Sequence, residues 1–329
     1  MRKLLSYFCL SLCLALTASA QDDNAPKKAY QDAASAGARF AIQGEYSGEI
    51  KVEGSSIKLG VQVIAGQKDS LKFAAYIGGL PGDGWTGDEV IRGEGTISGN
   101  KATLKSDMGS GEIVDGVLTI KHSDDSAIGT LKKVERKSPT LGAKPPAGAV
   151  VLFDGTTADK FTGGRMSEDK LLMEGVTSKD TFQSFELHLE FRLAFMPNAQ
   201  GQARSNSGCY LQGRYEVQIL DSFGLEGLDN ECGGIYKASK PDVNMCFPPL
   251  SWQTYDIEFQ AAKFDADGKK TSNAKVTVKH NGVVIHRNRE LPTGTPGGPL
   301  AKEGSEPGPL FLQDHGDPLR FRNIWVKPL

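Results

Sequence analysis

The sequence predicts an all-β fold, in which a small antiparallel β domain precedes a two-sheet jelly roll. Short segments alternate between apolar and polar residues, which is the pattern of strands with one buried face. The dipeptides Asp115-Gly116 and Asn281-Gly282 stand between such segments, and both favour tight hairpin turns. The 329 residues include 39 Gly and 16 Pro, and no stretch has the period of a long amphipathic helix. This length suits two domains.

The first 20 residues have the features of a secretory signal peptide. Two basic residues precede an apolar run over residues 4–16, and Ala18-Ser19-Ala20 forms a small-residue cleavage site. The run is short for a membrane span, and no later segment is long and apolar enough to be one. A lipoprotein signal that uses Cys13 is the weaker alternative, because the residue before it is large. We therefore expect an exported protein, periplasmic or extracellular, without a transmembrane segment.

Residues 40–136 are predicted to form a β-rich accessory domain, either a small antiparallel barrel or a sandwich. Short strand-like segments follow one another at regular spacing, with Gly-containing turns between them. The polar, Ala-rich stretch 22–38 in front of them is predicted to be a tail or a short helix. In the loop 78–89, Trp85 is either an exposed binding aromatic or, as is commoner, a loop residue folded onto its own core.

A linker is predicted over residues 137–148, because three prolines bias this stretch toward extended, unpaired backbone. The second domain then covers residues 149–329. Its clearest strand is 185–193, where five apolar residues face one way and the polar residues between them face the other. Residues 254–260 repeat this pattern. Many strands with one apolar face predict a jelly roll whose polar face is free to bind a ligand.

Charge and cysteine content exclude some classes of function. The net charge is −2 and the sequence contains no long basic run, so nucleic-acid binding is not expected. Removal of the signal peptide leaves Cys209, Cys232 and Cys246, which allow at most one disulfide and form no zinc-binding CxxC pattern. The HExxH, GxSxG and phosphate-loop motifs are also missing from the sequence.

Three polar residues, Arg214, Glu216 and Gln218, share one face of the strand predicted within residues 213–221, while the apolar residues between them face the other way. This pattern has two interpretations. The commoner one is the solvated outer face of a sheet. The other is a sheet face lined with hydrogen-bonding groups, which would match the many hydroxyls of a sugar.

Near the C-terminus, residues 313–317 place an amide, two carboxylates and an imidazole between two segments that are predicted to pair as a hairpin. His315 is either an acid–base group oriented by its neighbours or one member of a polar turn. Asp314 and Asp317 are correspondingly either turn formers or orienting carboxylates. Local sequence alone favours the turn.

Several motifs occur in the order that is typical of one known family: VLFDGTTADKF, FELHLEFRL, NSGCYLQGRYEVQILDS, GGIYK, WQTYDIEF and LQDHGDPLRFRNIWVKPL. Over residues 148–329 the sequence therefore resembles the 3-keto-disaccharide hydrolase domain family. The resemblance implies a concanavalin-like jelly roll that acts on sugars already oxidised at C3, as a 3-keto-glucoside 1,2-lyase, a 3-keto-2-hydroxyglucal hydratase, or both. It does not extend to residues 40–136.

This chemistry needs a base for the C2 hydrogen, an electrophile beside the C3 oxygen and an acid for the leaving group. On the resemblance, Glu216 and His315 are the catalytic candidates, and we expect Gln313 and His315 to face the same side as Glu216. The residues expected to bind the sugar are Arg214, Gln218, Gln313, Asn206, Tyr236 and Lys237. No cofactor is certain. A divalent metal ion is left open, with Asp221 and Asp314 as candidate ligands beside the two catalytic candidates.

Two alternatives to an enzyme are compatible with the sequence. One is a non-catalytic carbohydrate-binding module of the lectin or laminin-G kind, because the jelly roll often serves only in binding. The other is a structural envelope protein whose first domain mediates assembly. A catalytic site should gather the polar candidates in one pocket, whereas a lectin should show a shallow groove with exposed aromatics. Sequence alone gives neither the anomeric and aglycone specificity nor the oligomeric state.

Overall fold

The computed structural model describes residues 27–300 and 302–329, and within these ranges it is an all-β protein. A ten-residue helix and one short 3₁₀ turn are the helical elements of that part of the chain. The signal peptide predicted for residues 1–20 lies outside the described residues. None of the described helices is long and apolar enough to cross a membrane.

Helix α1 spans Ala33–Ile42, and the strands are numbered in chain order. The first eight are β1 (Gly44–Val52), β2 (Ser55–Ala65), β3 (Ser70–Ile77), β4 (Val90–Ser98), β5 (Lys101–Ser106), β6 (Gly109–Val114), β7 (Val117–Lys121) and β8 (Ala127–Val134). The others are β9 (Val150–Phe153), β10 (Phe161–Thr162), β11 (Leu172–Met173), β12 (Val176–Phe182), β13 (Phe185–Arg192), β14 (Ser207–Leu211), β15 (Tyr215–Ile219), β16 (Trp252–Gln260), β17 (Lys263–Phe264), β18 (Lys270–Ser272), β19 (Ala274–His280), β20 (Val283–Leu291), β21 (Gly308–Leu312) and β22 (Arg320–Pro328).

Strands β1 to β8 form a closed antiparallel barrel, in which β1 pairs with both β2 and β8. Of the barrel and the sandwich that the sequence left open for this region, the structure shows the barrel. The predicted turn between β6 and β7 is confirmed, since Asp115 and Gly116 have φ values of 49° and 77°. The ring of Trp85 packs against Tyr76, with the ring centroids 5.3 Å apart, so this aromatic folds back onto the barrel.

Helix α1 packs against one end of the barrel. Its first turn is capped by Asp32, whose side chain accepts a hydrogen bond from the Ser35 amide at 2.9 Å. Ala36 and Ile42 are buried in the hydrophobic cluster that fills this end of the barrel, together with Phe195 from the second half of the chain. The stretch predicted as a tail or short helix thus begins the helix, which continues to Ile42.

The second half of the chain forms two larger antiparallel sheets. One has five strands in the order β10-β12-β21-β14-β15, and the other has seven, with the order β11-β22-β13-β16-β19-β20 and β9 paired to β22. A single hydrophobic core lies between them. The rings of Tyr215 and Phe259, one from each sheet, are 5.4 Å apart, and the Tyr255 hydroxyl donates to the Gln218 carbonyl at 2.6 Å. The two sheets therefore pack face to face.

The prediction that residues 313–317 form the turn of a C-terminal hairpin is wrong. Strand β21 belongs to the five-stranded sheet and β22 to the seven-stranded sheet, so residues 313–319 carry the chain from one sheet to the other. Local alternation identified both strands, because the side-chain period is a local property. It could not show which neighbour each strand pairs with, because pairing depends on contacts that are distant in sequence.

The predicted linker, residues 137–148, lies on the outer face of the seven-stranded sheet. The Gly142 amide donates to Glu190 Oε1 at 2.6 Å, and Asn323 Nδ2 donates to the Ala143 carbonyl at 3.0 Å. No strand pairs with the backbone of these residues, and side chains of the sheet hold it in place instead. The polar face of β13 is consequently covered, and Glu190 is only 1% exposed.

All three cysteines of the described chain are buried free thiols. Cys209 lies in the core between the two sheets, where burial raises its thiol pKa. The sulfur of Cys232 is 3.3 Å from the Tyr255 hydroxyl, and Cys246 packs in the same core. These residues act as core side chains rather than as metal ligands.

Candidate active site on the five-stranded sheet

The polar strand singled out in the sequence is β15, and its alternation is confirmed. Tyr215, Val217 and Ile219 are buried in the core between the sheets, so Glu216 and Gln218 lie on the opposite, outer face. This outer face is not a solvated one. Glu216 is 2% exposed and Gln218 is 1% exposed, because another part of the chain covers them.

Strand pairing sets Glu216 in a row of side chains across the outer face. Tyr210 of β14 is directly opposite Glu216, and Phe311 of β21 is opposite Tyr210. On the other side, Ile235 bridges to Val217, and the Tyr236 amide donates to the Glu216 carbonyl at 3.2 Å. Directly opposed residues share a face, so the row runs Phe311, Tyr210, Glu216, Tyr236.

The carboxyl group of Glu216 is held by a phenol. The Tyr210 hydroxyl donates to Glu216 Oε2 at 2.7 Å. Burial raises the pKa of Glu216 to about 7, and the hydrogen bond from Tyr210 opposes that rise in part. Burial raises the pKa of Tyr210 as well, so the phenol stays protonated. A carboxyl with a pKa near neutrality can take up or release a proton under ordinary conditions.

The Glu216 carboxyl packs directly against the backbone of Gly208, where there is no room for a side chain. A Cβ atom at position 208 would lie 2.2 Å from Glu216 Oε1 and 3.1 Å from Gln313 Oε1, so a larger residue would displace both groups. The structure therefore places Gln313 Oε1 and Glu216 Oε1 side by side next to Gly208. Gln313 Oε1 is buried and has no hydrogen-bond partner among the described residues, whereas Gln313 Nε2 is 3.4 Å from the Tyr210 hydroxyl. The two oxygens beside Gly208, Glu216 Oε1 and Gln313 Oε1, are suited to accept hydrogen bonds from a ligand.

Residues 292–300 and 302–307, which lie between β20 and β21, cover this row, and we call them the covering segment. The Glu216 amide donates to Thr295 Oγ1 at 2.8 Å. Arg214 donates from Nε to the Lys302 carbonyl at 2.9 Å and from Nη1 to the Glu306 carbonyl at 3.1 Å. The Arg214 guanidinium thus binds the backbone of the covering segment, a contact that its position on the predicted strand did not indicate.

A second group of amides continues along the outer face from Gln218. Its Nε2 is 3.2 Å from Gln202 Oε1. Asn206 Nδ2 donates to the Gln202 carbonyl at 2.8 Å, while Asn206 Oδ1 is buried without a hydrogen-bond partner in the described ranges. Gln218 and Asn206 are therefore joined through Gln202, which the sequence analysis did not single out.

The connection 313–319 combines a turn with an anchor. Asp314 Oδ1 accepts from the Gly316 amide at 2.6 Å, which is the turn-forming role. Asp317 is buried, and its Oδ2 accepts from the Asn206 amide at 2.9 Å. Burial raises the pKa of Asp317, against the opposing effects of that hydrogen bond and of nearby positive charge. His315 is exposed, and no hydrogen bond or ion pair between described residues joins it to Glu216.

The candidate metal ligands do not come together. Asp221 Oδ2 accepts from Arg204 Nε at 2.7 Å, so its charge is already neutralised, and Asp314 is engaged in its turn. Within residues 27–300 and 302–329, no group of three or more His, Cys, Asp or Glu side chains is arranged to hold a metal ion. These residues do not fit a divalent metal site.

Tyr236 and Lys237 lie at the edge of the site. Tyr236 is half-buried and Lys237 is exposed, with its ammonium nitrogen 5.4 Å from the centre of the Tyr236 ring. Sequence reasoning missed Tyr210 and Gly208. Alternation along β14 carries the signal that could have found them, because these residues share the face opposite to that of Cys209 and Leu211.

Residues 148–327 match the family described as the 3-keto-alpha-glucoside-1,2-lyase-like domain. Crystal structures of two putative glycosyl hydrolases from Parabacteroides distasonis ATCC 8503 are similar to the chain. The first has 34% sequence identity and a TM-score of 0.49, and the match covers 56% of this chain and 85% of the chain of that hydrolase. The second has 19% identity and a TM-score of 0.40, and the match covers 55% of this chain and 94% of the chain of that hydrolase. No curated protein is similar enough to the chain to count as a match.

Proposed function

The chain belongs to the 3-keto-alpha-glucoside-1,2-lyase-like domain family through residues 148–327, and on this premise we propose that it cleaves 3-keto-glycosides by elimination. The family match supports a carbohydrate-active enzyme. The observation that carries the finer proposal is the Glu216 carboxyl, which is buried, has a pKa of about 7 and faces an amide oxygen without a partner in the described chain. Such a group is suited to proton transfer at carbon near neutral pH.

The proposed reaction begins at C2 of the sugar, whose hydrogen is acidified by the ketone at C3. The Glu216 carboxylate takes this proton, and the electron pair of the C–H bond forms the enolate. The enolate then expels the glycosidic oxygen from C1, which leaves a double bond between C1 and C2. The departing oxygen takes a proton and the aglycone leaves as an alcohol. Addition of water across the double bond completes a net hydrolysis.

The other candidates take supporting roles in this proposal. His315 supplies the proton to the leaving oxygen, since it is exposed in the same connection between β21 and β22 that carries Gln313. Gln313, Asn206 and Gln218 bind sugar hydroxyls through their amide groups, and Tyr236 with Lys237 completes the edge of the site. Arg214 acts through the covering segment that it holds over Glu216.

We extend the proposal to the whole chain as the sequence predicted it. Residues 1–20 direct export to the periplasm or beyond, residues 40–136 form the accessory domain, and 149–329 form the catalytic domain with a concanavalin-like jelly-roll topology. The face-to-face packing of the five-stranded and seven-stranded sheets supports this topology. The substrate is a small sugar, and no nucleic acid is expected at a net charge of −2.

One observation favours the alternative of a non-catalytic carbohydrate-binding module. Phe311 and Tyr236 are half-buried and stand at the two ends of the row that contains Glu216, where aromatic rings could stack on a sugar. A binding module would retain the sugar unchanged. Turnover therefore separates the two candidates.

The test is incubation of the full mature chain with a 3-keto-glucoside that carries a chromogenic aglycone. We expect release of the aglycone, and a loss of about 10²-fold or more in kcat for Glu216→Gln and for His315→Ala. Glu226→Gln, which changes an exposed glutamate outside the site, is the matched control and should be unaffected. Binding of the 3-keto-glucoside without release would support the binding module. A wild-type rate in either site variant would remove that residue from the mechanism.

A further inference from the structure

The barrel of β1–β8 encloses an apolar cavity that the proposed function does not use. Its volume is 290 Å³, and side chains from all eight strands line it. The inward-facing residues of neighbouring strands alternate with outward-facing ones, which is how a small barrel forms a lumen. Most of the lining is aliphatic, as in Ile50, Leu59, Val61, Ala75, Leu104 and Leu118.

One end of this lumen is closed and the other is open. At the closed end α1 packs on the barrel core through Ala36 and Ile42. At the open end the lining includes Val52, Ile77 and Met108, which are 39%, 36% and 71% exposed. Large apolar side chains around the mouth of a cavity keep water against apolar surface, which is unfavourable until a ligand covers it.

Among the residues that line the cavity, the one with a fixed charge is a lysine at this mouth. Lys121 and His122 are the titratable residues among those that line the cavity, and neither Asp nor Glu belongs to that lining set. Each base has a long contact with a carboxylate outside the cavity. Lys121 Nζ is 3.9 Å from Glu112, and His122 Nδ1 is 3.8 Å from Asp124. Exposed pairs at such distances are weak and can exchange for a ligand carboxylate.

We propose that the barrel binds a carboxylate-headed alkyl chain of medium length, with the tail in the lumen and the head beside Lys121 and His122. An aliphatic lining selects an alkyl tail, and bases at the rim select an anionic head. The volume lies near the small end of ligand pockets, about 300–1,000 Å³, which suits a single small amphiphile rather than a segment of another protein. This site is independent of the reaction proposed for Glu216.

The experiment is isothermal titration calorimetry on the full mature chain with decanoate, decan-1-ol and decyltrimethylammonium, all below their micelle concentrations. We expect one decanoate per chain, about tenfold weaker binding of the alcohol, and the weakest binding for the cation. Lys121→Glu should weaken decanoate about tenfold. Lys105→Glu, an exposed lysine of β5 outside the cavity, is the matched control and should leave binding unchanged.

A second variant tests the lumen itself. Ala75→Phe places a ring in the cavity and should abolish decanoate binding while the turnover of the 3-keto-glucoside persists. If this variant does not fold, the comparison of Lys121→Glu with Lys105→Glu decides. Equal affinity for the three amphiphiles, no binding of decanoate, or binding only to phosphatidylcholine vesicles would overturn the proposal. So would a concentration-dependent dimer that buries Met108, since the apolar mouth would then be a contact between copies.

Discussion

The hydroxyl oxygen of Tyr210 lies 2.7 Å from Glu216 Oε2 and 2.8 Å from the carbonyl oxygen of Pro296 in the covering segment. A hydroxyl has one hydrogen, so Tyr210 can donate to only one of these acceptors at a time. Donation to Glu216 favours the ionised carboxylate, and donation to Pro296 favours attachment of the covering segment. Tyr210 thereby links the proton on Glu216 to the segment that covers it.

Removal of this hydroxyl should shift the pH dependence of the reaction. In the wild-type protein, kcat/KM should rise with pH around a midpoint near 7, as Glu216 ionises. The hydrogen bond from Tyr210 lowers the Glu216 pKa, so Tyr210→Phe should move this midpoint to higher pH. Initial rates across the pH range measure it. An unchanged midpoint would separate Tyr210 from the ionising group.

The buried carboxyl should also reduce the stability of the protein at high pH. Its pKa is raised from 4.5 to about 7 on folding, so the folded state keeps a proton that the unfolded chain loses between these values. Stability from this group is present below about pH 4.5 and is lost as pH rises through about 7. At about pH 8, Glu216→Gln should therefore have a higher free energy of unfolding than the wild-type protein, by on the order of 1–3 kcal/mol. Urea unfolding measures this difference. The two proteins should converge at about pH 4. Equal stability at both values would contradict the raised pKa.

Gly208→Ala should damage the site and spare the fold. The added Cβ would meet Glu216 Oε1 at 2.2 Å, and the end of this side chain can move at low cost to stability. A carboxylate displaced by about 1 Å should lose roughly 10²-fold in kcat. Gly304→Ala is the control, because its Cβ would come no closer than 4.0 Å to Arg214. Thermal melting of both variants measures the effect on the fold, and initial rates measure the effect on the site. Full activity of Gly208→Ala would place the reacting atoms elsewhere.

Arg214→Ala should release the covering segment. This guanidinium donates to the Lys302 and Glu306 carbonyls, and each lost hydrogen bond of a charged donor is worth roughly 1–3 kcal/mol. Cleavage by a glutamate-specific protease after Glu303 should then be about tenfold faster or more. Lys302→Ala keeps the carbonyl that Arg214 binds and should be cleaved at the wild-type rate. Equal rates in both variants would mean that other contacts hold the segment.

Glu190→Ala should destabilise the protein by roughly 3–5 kcal/mol, measured by urea unfolding. Burial would raise the pKa of this carboxyl, but hydrogen bonds from its neighbours, His188 first, hold the pKa at about 2. The change would leave the buried His188 imidazole and the partly exposed Arg322 guanidinium without this carboxylate. It would also remove the contact of the linker through Gly142. Glu186→Ala, on the same strand but in an exposed pair, should cost at most about 1 kcal/mol. A similar small cost for both would show that the linker is held by other contacts.

Local patterns in the sequence were sufficient where the physics is local. The alternation in β15 predicted that Glu216 lies on the outer face and Val217 on the core face, because successive side chains of a strand point to opposite faces. The Asn281-Gly282 turn was predictable for the same reason, since φ values of 51° and 82° suit Asn and Gly. The expectation that Gln313 and His315 face the same side as Glu216 depended on the family resemblance rather than on alternation. Gln313 lies beside Glu216, whereas His315 is exposed and has no hydrogen bond or ion pair with Glu216 among the described residues.

The sequence by itself determined the all-β class, the faces of the strands and the family of residues 148–327. Only the tertiary structure decided that the outer face of β15 is covered, and that residues 313–319 cross between two sheets. It also decided that Gly208 makes room for the Glu216 carboxyl. The reason is physical: a strand's faces follow from neighbouring residues, whereas burial and pKa depend on which distant segments come to lie over them.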